Sequence, residues 1–180
     1  MAIVSFGVAR AGGRFHSRTK RALAGPSAHG MDHTGAERPG KRRMPVAAKS
    51  TLDNVSDAFL EFWRERHLCT LTTVRQDGTP HVVPVGVTLD AGTATARVIS
   101  SGTSHKVRQV RAAGPEGARV AVCQVDGRRW STLEGRAVVR DDPESVADAE
   151  RRYEQRYKTP RPNPRRVVIE ISVTKVLGNL

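Results

Sequence analysis

Residues able to hold an anion are concentrated in one short run, Ser100-Ser101-Gly102-Thr103-Ser104-His105-Lys106. Hydroxyls, a glycine and exposed backbone N–H groups stand where a helix begins, and a helix N-terminus favours negative charge. Lys106 adds a full positive charge, and together these groups suit a phosphate. Arg97 stands on the preceding strand, on the face opposite Ala96 and Val98, and a guanidinium near such a loop strengthens the same chemistry. A plain helix cap is the structural alternative, because serine-rich segments before helices are common.

Two further places carry chemistry-bearing side chains. Trp130 follows the turn Asp126-Gly127-Arg128-Arg129 and reads either as a core aromatic or as a ligand contact. The segment Lys158–Arg166 contains Pro160, Pro162 and Pro164. It reads as a stiff linker or as a rigid flap that sets Arg161, Arg165 or Arg166 beside an anionic ligand.

Most catalytic templates are missing. The sequence has no G-x-S-x-G, H-E-x-x-H, P-loop or C-x-x-C motif. Its six histidines (16, 29, 33, 67, 81 and 105) are scattered, so their spacing offers no metal site. The adjacent acids Asp141 and Asp142 fit the start of a helix better than a hydrolytic pair.

Hydrophobic patterning supplies the elements that must position these residues. A helix runs from a cap at Thr51 or Asp53 to Arg66, with Val55, Phe59 and Phe62 on one face. Strands follow at Leu68–Val74, His81–Leu89, Ala94–Ser100, Arg119–Val125, Trp130–Arg140 and Val167–Gly178. Asp77-Gly78 and Asp126-Gly127 are hairpin turns. Pro84 cannot donate to a ladder, so its strand has an edge or a bulge there. A short helix after Ser104 carries Lys106, Val107 and Val110. A longer helix starts at Asp142-Pro143 and reaches about Tyr157, with Val146, Ala149, Tyr153 and Tyr157 on one face. Six short strands, mostly joined by hairpins, predict a mostly β domain: a small closed barrel with three peripheral helices. Such a barrel has little room inside, so an organic cofactor lies against its outside or between two copies.

Composition divides the 180-residue chain at about residue 50. Residues 1–50 hold ten Lys or Arg and two acids, whereas residues 51–180 hold twenty and sixteen. Most of the net charge of +12 therefore belongs to the first fifty residues. That segment is rich in Gly, Ala, Arg, Ser and Pro and shows no sustained period, so it reads as a disordered tail. A start codon at Met31 or Met44, or an arginine-rich targeting peptide, are its other readings. The basic run Gly40–Arg43 reads as a solvated stretch able to touch anions. Specific nucleic-acid binding is not expected, since aromatics are few and not interleaved with the basic residues. No stretch of ~18 apolar residues predicts a membrane span. Cys69 and Cys123 sit in strand-like runs and read as buried, reduced thiols, which fits a cytoplasmic protein.

Three runs, RHLCTLTTVR (66–75), CQVDGRRWSTLEG (123–135) and RYEQRYKTPRPNPRRVVIEI (152–171), point to a known family. With ARVISSGTSHK between them, residues 55–178 resemble the pyridoxamine 5'-phosphate oxidase-like split β-barrel family, and within it the branch that uses the deazaflavin coenzyme F420. Residues 1–50 have no counterpart in it. The resemblance implies an FMN-binding-like split barrel and a homodimer with two cofactors in grooves at the interface. It also implies a basic groove for the cofactor's phospholactyl-polyglutamate tail. Carried over by position, Gly102, Thr103, Ser104, His105 and Lys106 hold the phosphate, preceded by Arg97, Ile99, Ser100 and Ser101. His81, Val82, Val83, Pro84 and Val85 lie along the ring system. Gln124, Asp126, Gly127, Arg128 and Trp130 complete the pocket, partly from the second subunit. The implied reaction is hydride transfer from the reduced deazaflavin to a small organic acceptor, such as biliverdin or a similar tetrapyrrole. Arg129, Arg161 and Asn163 are then the candidate acceptor contacts. An FMN-dependent oxidoreductase on the same barrel and a non-catalytic flavin or deazaflavin carrier are the alternatives.

Overall fold

The computed structural model describes residues 52–180. The readings of residues 1–50 and the cap at Thr51 lie outside the described residues. The elements are α1 (Asp57–Arg64), β1 (Cys69–Val74), β2 (Pro80–Val85), β3 (Thr88–Asp90), β4 (Thr95–Ser101), α2 (His105–Ala112), β5 (Ala118–Asp126), β6 (Arg129–Arg140), α3 (Pro143–Arg156) and β7 (Arg166–Asn179).

The domain is mostly β, and every strand pairing is antiparallel. Two expectations are corrected. Among the described residues there are seven strands rather than six, and the sheet is not a closed ladder: its order is β2-β1-β5-β6-β7-β4-β3. The run expected as one strand over His81–Leu89 breaks at Gly86-Val87. Its two halves, β2 and β3, become the opposite edges of the sheet. Pro84 sits on an edge strand, where its missing N–H costs no ladder bond.

Those two edges are nonetheless held close. Seven strands at ~4.8 Å spacing make a ribbon about 29 Å wide. Val85 and Thr88 are three peptide links apart, so their Cα atoms are within about 11 Å. The sheet must curl until its edges nearly meet, which makes a split barrel. A register shift between Glu134 and Gly135 helps bend the long β6–β7 pair. A Cβ on Gly135 would stand 2.2 Å from the Ser172 carbonyl oxygen, so this close approach of backbones excludes any side chain.

The curled interior is packed by alternate residues, for example Ala96, Val98 and Ser100 on β4 and Cys69, Leu71 and Thr73 on β1. Aliphatic residues dominate, and α1 supplies the buried aromatics Phe59, Phe62 and Trp63. α1 begins at Ser56, whose side chain accepts the Phe59 N–H at 3.2 Å, rather than at Asp53. It stops at Arg64, because Glu65 already has extended backbone. α2 inserts Val107 and Val110 into the core, and α3 lies across β3, β4 and β7. α3 starts at Asp142 and Pro143 as expected, with the Asp142 carboxylate accepting the Ser145 N–H at 2.9 Å.

Candidate cofactor site

β4 delivers the hydroxyl loop to the start of α2. Ser100 is buried, and its Oγ lies 3.0 Å from Ser104 Oγ. Ser101 Oγ lies 3.2 Å from Thr103 Oγ1. Ser104 has the extended backbone of an N-cap but makes no side-chain cap bond to the helix. The first-turn amides of α2 thus lack a side-chain acceptor, and the positive end of the helix is available. Lys106 is half-buried in that first turn, with no carboxylate within ion-pair distance among the described residues. Burial holds its pKa below the ordinary lysine value. An ammonium drawn partly out of water without a counter-ion favours an anionic guest.

β2 brings His81 to the same place. Its Nδ1 is 3.0 Å from Gln109 Oε1, and its ring meets that of His105 edge-on, with centroids 6.1 Å apart. Arg108 reaches His105 Nδ1 at 2.9 Å. Along β2, Val82 and Pro84 face outward and are exposed, whereas Val83 and Val85 face the core. Of the five β2 positions named from sequence, Val82 and Pro84 are therefore the outward ones, whereas His81 shares the inward face with Val83 and Val85 and turns to Gln109 of α2. A groove of about 800 Å³ opens beside His105 and Arg108. Ala112 and Ala118 contribute to its lining, and Arg75 and Arg119 bring two more cations. Its one acid, Asp77, accepts both the N–H and the hydroxyl of Thr79, and these bonds hold its carboxyl below the usual range.

The proline-rich segment docks on the loop. The Gly102 N–H donates to the Arg165 carbonyl at 2.8 Å. Asn163 shapes the turn, its side-chain oxygen accepting the Arg165 N–H at 3.0 Å and its carbonyl accepting the Arg166 N–H at 3.0 Å. The Arg166 guanidinium is bound to Glu150 at 2.8 Å, while Arg161 and Arg165 are exposed.

Other candidates lie elsewhere. Arg97 and Ile99 stand on the opposite face of β4 from Ser100, and Arg97 pairs with Asp148 of α3 at 3.7 Å and Glu170 at 3.9 Å. Gln124 is fully buried: its amide donates to the Phe62 carbonyl at 2.7 Å, and its oxygen accepts from Arg156 at 2.6 Å. The turn carrying Asp126, Gly127, Arg128, Arg129 and Trp130 lies at the far end of β5 and β6 from the turn of α2 into β5. There Arg129 makes two bonds to Glu65, at 2.8 and 2.9 Å, and another to Asp126, and it lies over the Phe62 ring. Arg129 holds the Glu65 carboxyl down at about 2. With its fork spent on carboxylates, Arg129 is poorly placed to take a substrate carboxylate, whereas Arg128 is exposed. Glu65, His67 and Asp126 bring donor atoms within 4.8 Å of one another, but the Arg129 cation already serves two of them.

Sequence reading did not single out Arg108 and Gln109, which complete the His81 and His105 cluster, nor Arg156 as a half-buried cation turned inward. Arg156 donates to the carbonyls of Glu65 and Val87 and to Gln124, and faces the rings of Trp63 and Tyr157. The four-residue spacing of Tyr153 and Tyr157 placed them on one face of α3. Nothing in the sequence marked Arg156 as the residue that turns inward.

Residues 55–179 match the family model for pyridoxamine 5'-phosphate oxidase, and the chain belongs to that family. Over 134 residues it is 52% identical to an F420-dependent biliverdin reductase of Mycobacterium tuberculosis, covering 74% of this chain and 95% of that protein. Two solved structures share the fold. A conserved hypothetical protein of Mycobacterium tuberculosis aligns with TM-score 0.57 at 22% identity, over 73% of this chain and 89% of its own. A protein described as an F420 reductase aligns with TM-score 0.55 at 23% identity, over 68% and 98%.

Proposed function

We propose that this chain is an F420-dependent oxidoreductase that reduces a small organic acceptor, with biliverdin or a similar tetrapyrrole as the substrate class. The observation that carries the reading is Lys106, half-buried and without a carboxylate partner at the uncapped start of α2. A phosphate fits this place chemically: it accepts from Lys106, from first-turn amides and from the serine and threonine hydroxyls of Ser101–Ser104. The relative that is 52% identical is named for the same cofactor and for biliverdin.

When bound, the reduced deazaflavin supplies a hydride. The protein's part is to bind, orient and exclude water. Lys106 and the hydroxyl loop anchor the phosphate. The outward Val82 and Pro84 give a flat apolar edge for the rings, and His81, held by Gln109 and beside the His105 ring, lines the start of α2 next to the phosphate. Arg128 is the free cation on the Asp126–Trp130 turn for an acceptor's carboxylates, and Arg161 is a second exposed one. The outer face of β2, β1, β5 and β6 exposes Val82, Val74, Val125 and Trp130, a surface suited to pairing of two copies. We take the working form to be a cytoplasmic homodimer.

Turnover tests the reading. Purified protein with reduced F420 and biliverdin should oxidise the cofactor at a rate proportional to enzyme. Cofactor oxidation with none of a panel of tetrapyrrole and other conjugated acceptors would overturn the oxidoreductase assignment and leave a carrier.

A further inference from the structure

His81, the second residue of β2, is tied to both β1 and α2. It lies directly opposite Thr73 in the β1–β2 ladder, so the two side chains leave the same face of the sheet. Thr73 is fully buried. Thr73 Oγ1 and His81 Nδ1 converge on one atom, Gln109 Oε1, at 2.5 and 3.0 Å. The shorter distance lies within the ~2.5–3.0 Å of O–H···O bonds and below the ~2.7–3.2 Å of N–H···O bonds, as suits a carboxamide oxygen at this point. Thr73 has one hydroxyl proton, and Gln109 is a far closer acceptor than the His81 carbonyl at 3.4 Å. Gln109 Oε1 donates nothing, so the proton on its bond to His81 sits on Nδ1.

The other ring nitrogen is left over. In the neutral ring, Nε2 is then a bare acceptor. Among the described residues it has no hydrogen-bond partner, and the sealed, unpartnered side-chain atoms are on Thr88 and Arg97, so Nε2 is open to solvent. His105 and Gln109 stand one turn apart on one face of α2, and the His81 ring meets both. With Nδ1 turned to Gln109, Nε2 is turned towards the first turn of the helix, the end that Ser104 leaves uncapped. Lys106 and the free amides there suit anionic oxygens, which a nitrogen lone pair repels. The lone pair calls for a donor. His105 is no substitute, because Arg108 reaches both of its nitrogens, at 2.9 and 3.3 Å.

We infer that His81 Nε2 accepts a hydrogen bond from a hydroxyl carried by the phosphate ligand itself, and that Gln109, backed by Thr73, is the positioning residue that sets this tautomer. The site then takes a hydroxyl-bearing organic phosphate in preference to a bare one. The inference rests on the phosphate reading of the hydroxyl loop. In that reading the donor is a hydroxyl of the cofactor's polyol chain.

Two probes test it at about pH 8, where ordinary imidazoles are neutral. They are glycerol phosphate and propyl phosphate, which differ only in hydroxyls. NMR titration of the wild type should favour glycerol phosphate by about fivefold, the worth of one hydrogen bond. In Gln109→Met the imidazole is free to change tautomer. Its Nε2–H then serves phosphate oxygens and hydroxyls alike, and the preference should fall towards one. Nitrogen-15 spectra of the ligand-free protein, with His81 assigned from His81→Asn, should show the proton on Nδ1 in the wild type and a shift towards Nε2–H in Gln109→Met. A Gln109 that only packs α2 against β1 would leave the tautomer unmoved. Equal affinity for the two probes, or an Nε2–H signal in the wild type, would overturn the inference and leave the phosphate site standing. Binding of neither probe would remove the phosphate site and the inference with it. Should Gln109→Met not fold, the two wild-type measurements decide by themselves.

Discussion

The Tyr157 hydroxyl stands 3.0 Å from the backbone nitrogen of Val87 and 3.1 Å from its carbonyl oxygen. Val87 lies in the two-residue joint between β2 and β3, the edges of the open sheet. With no ladder across the split, side chains from the end of α3 do that work. Tyr157 also donates to the His67 carbonyl at 2.8 Å, and Arg156 reaches the Val87 carbonyl at 2.6 Å. The Tyr157→Phe protein should lose ~2 kcal/mol, because the Val87 N–H is left buried without an acceptor. Urea unfolding measures this as a lower midpoint at unchanged slope.

Gly86 makes that joint possible. A Cβ there would meet Tyr153 Cε2 at 2.5 Å, and Tyr153 is stacked on Tyr157 with centroids 4.8 Å apart. Gly86→Ala should cost ~1–3 kcal/mol by overpacking. Adding Tyr153→Leu should return part of the loss, so a double-mutant cycle should show coupling of at least ~0.5 kcal/mol.

Gln124 joins α1, β1 and α3 from inside. Gln124→Leu strands the Phe62 carbonyl and one Arg156 donor, and a loss of ~3 kcal/mol is expected in denaturant melts. Affinity for a cofactor at the hydroxyl loop should be unchanged in the folded fraction.

Acid stability follows from Glu65. Hydrogen bonds from Arg129, then from His67, lower its pKa from 4.5 to about 2 in the folded protein. A depressed folded value means the contribution is present above the unfolded value and is lost as pH falls from about 4.5 towards 2. Melting temperature should therefore drop over that window in the wild type. Glu65→Gln should melt lower at neutral pH and show a shallower drop, as read by scanning calorimetry across pH.

Much of this architecture was legible in the sequence. Period-2 runs marked the strands, Asp77-Gly78 and Asp126-Gly127 the hairpins, and Asp142-Pro143 the start of α3. The split was not: Pro84 and Gly86 within His81–Leu89 are equally compatible with an edge or bulge in one strand, and only the packing of Tyr153 on Gly86 shows where the run divides. The hydroxyl loop was readable because its groups are local in sequence. Arg97 was read as a ligand contact because its type suits an anion, and Gln124 because the family resemblance carries it over by position. Their actual partners, Arg156, Asp148 and Glu170, are distant in sequence and become neighbours only when α3 folds across the sheet. Arg129 shows the same limit, since its partner Glu65 is 64 residues away.

The most direct measurement is a fluorescence titration of the wild type and Lys106→Ala with F420, run beside FMN and beside a deazaflavin lacking the phosphate. Micromolar or tighter binding of F420, weaker binding of FMN, and a tenfold or greater loss for Lys106→Ala with F420 but not with the phosphate-free compound is the predicted result. The affinity should also fade as pH climbs towards the lowered pKa of Lys106, earlier than for an ordinary lysine. Tight FMN binding without F420 binding, or equal F420 affinity in the two proteins, would contradict it.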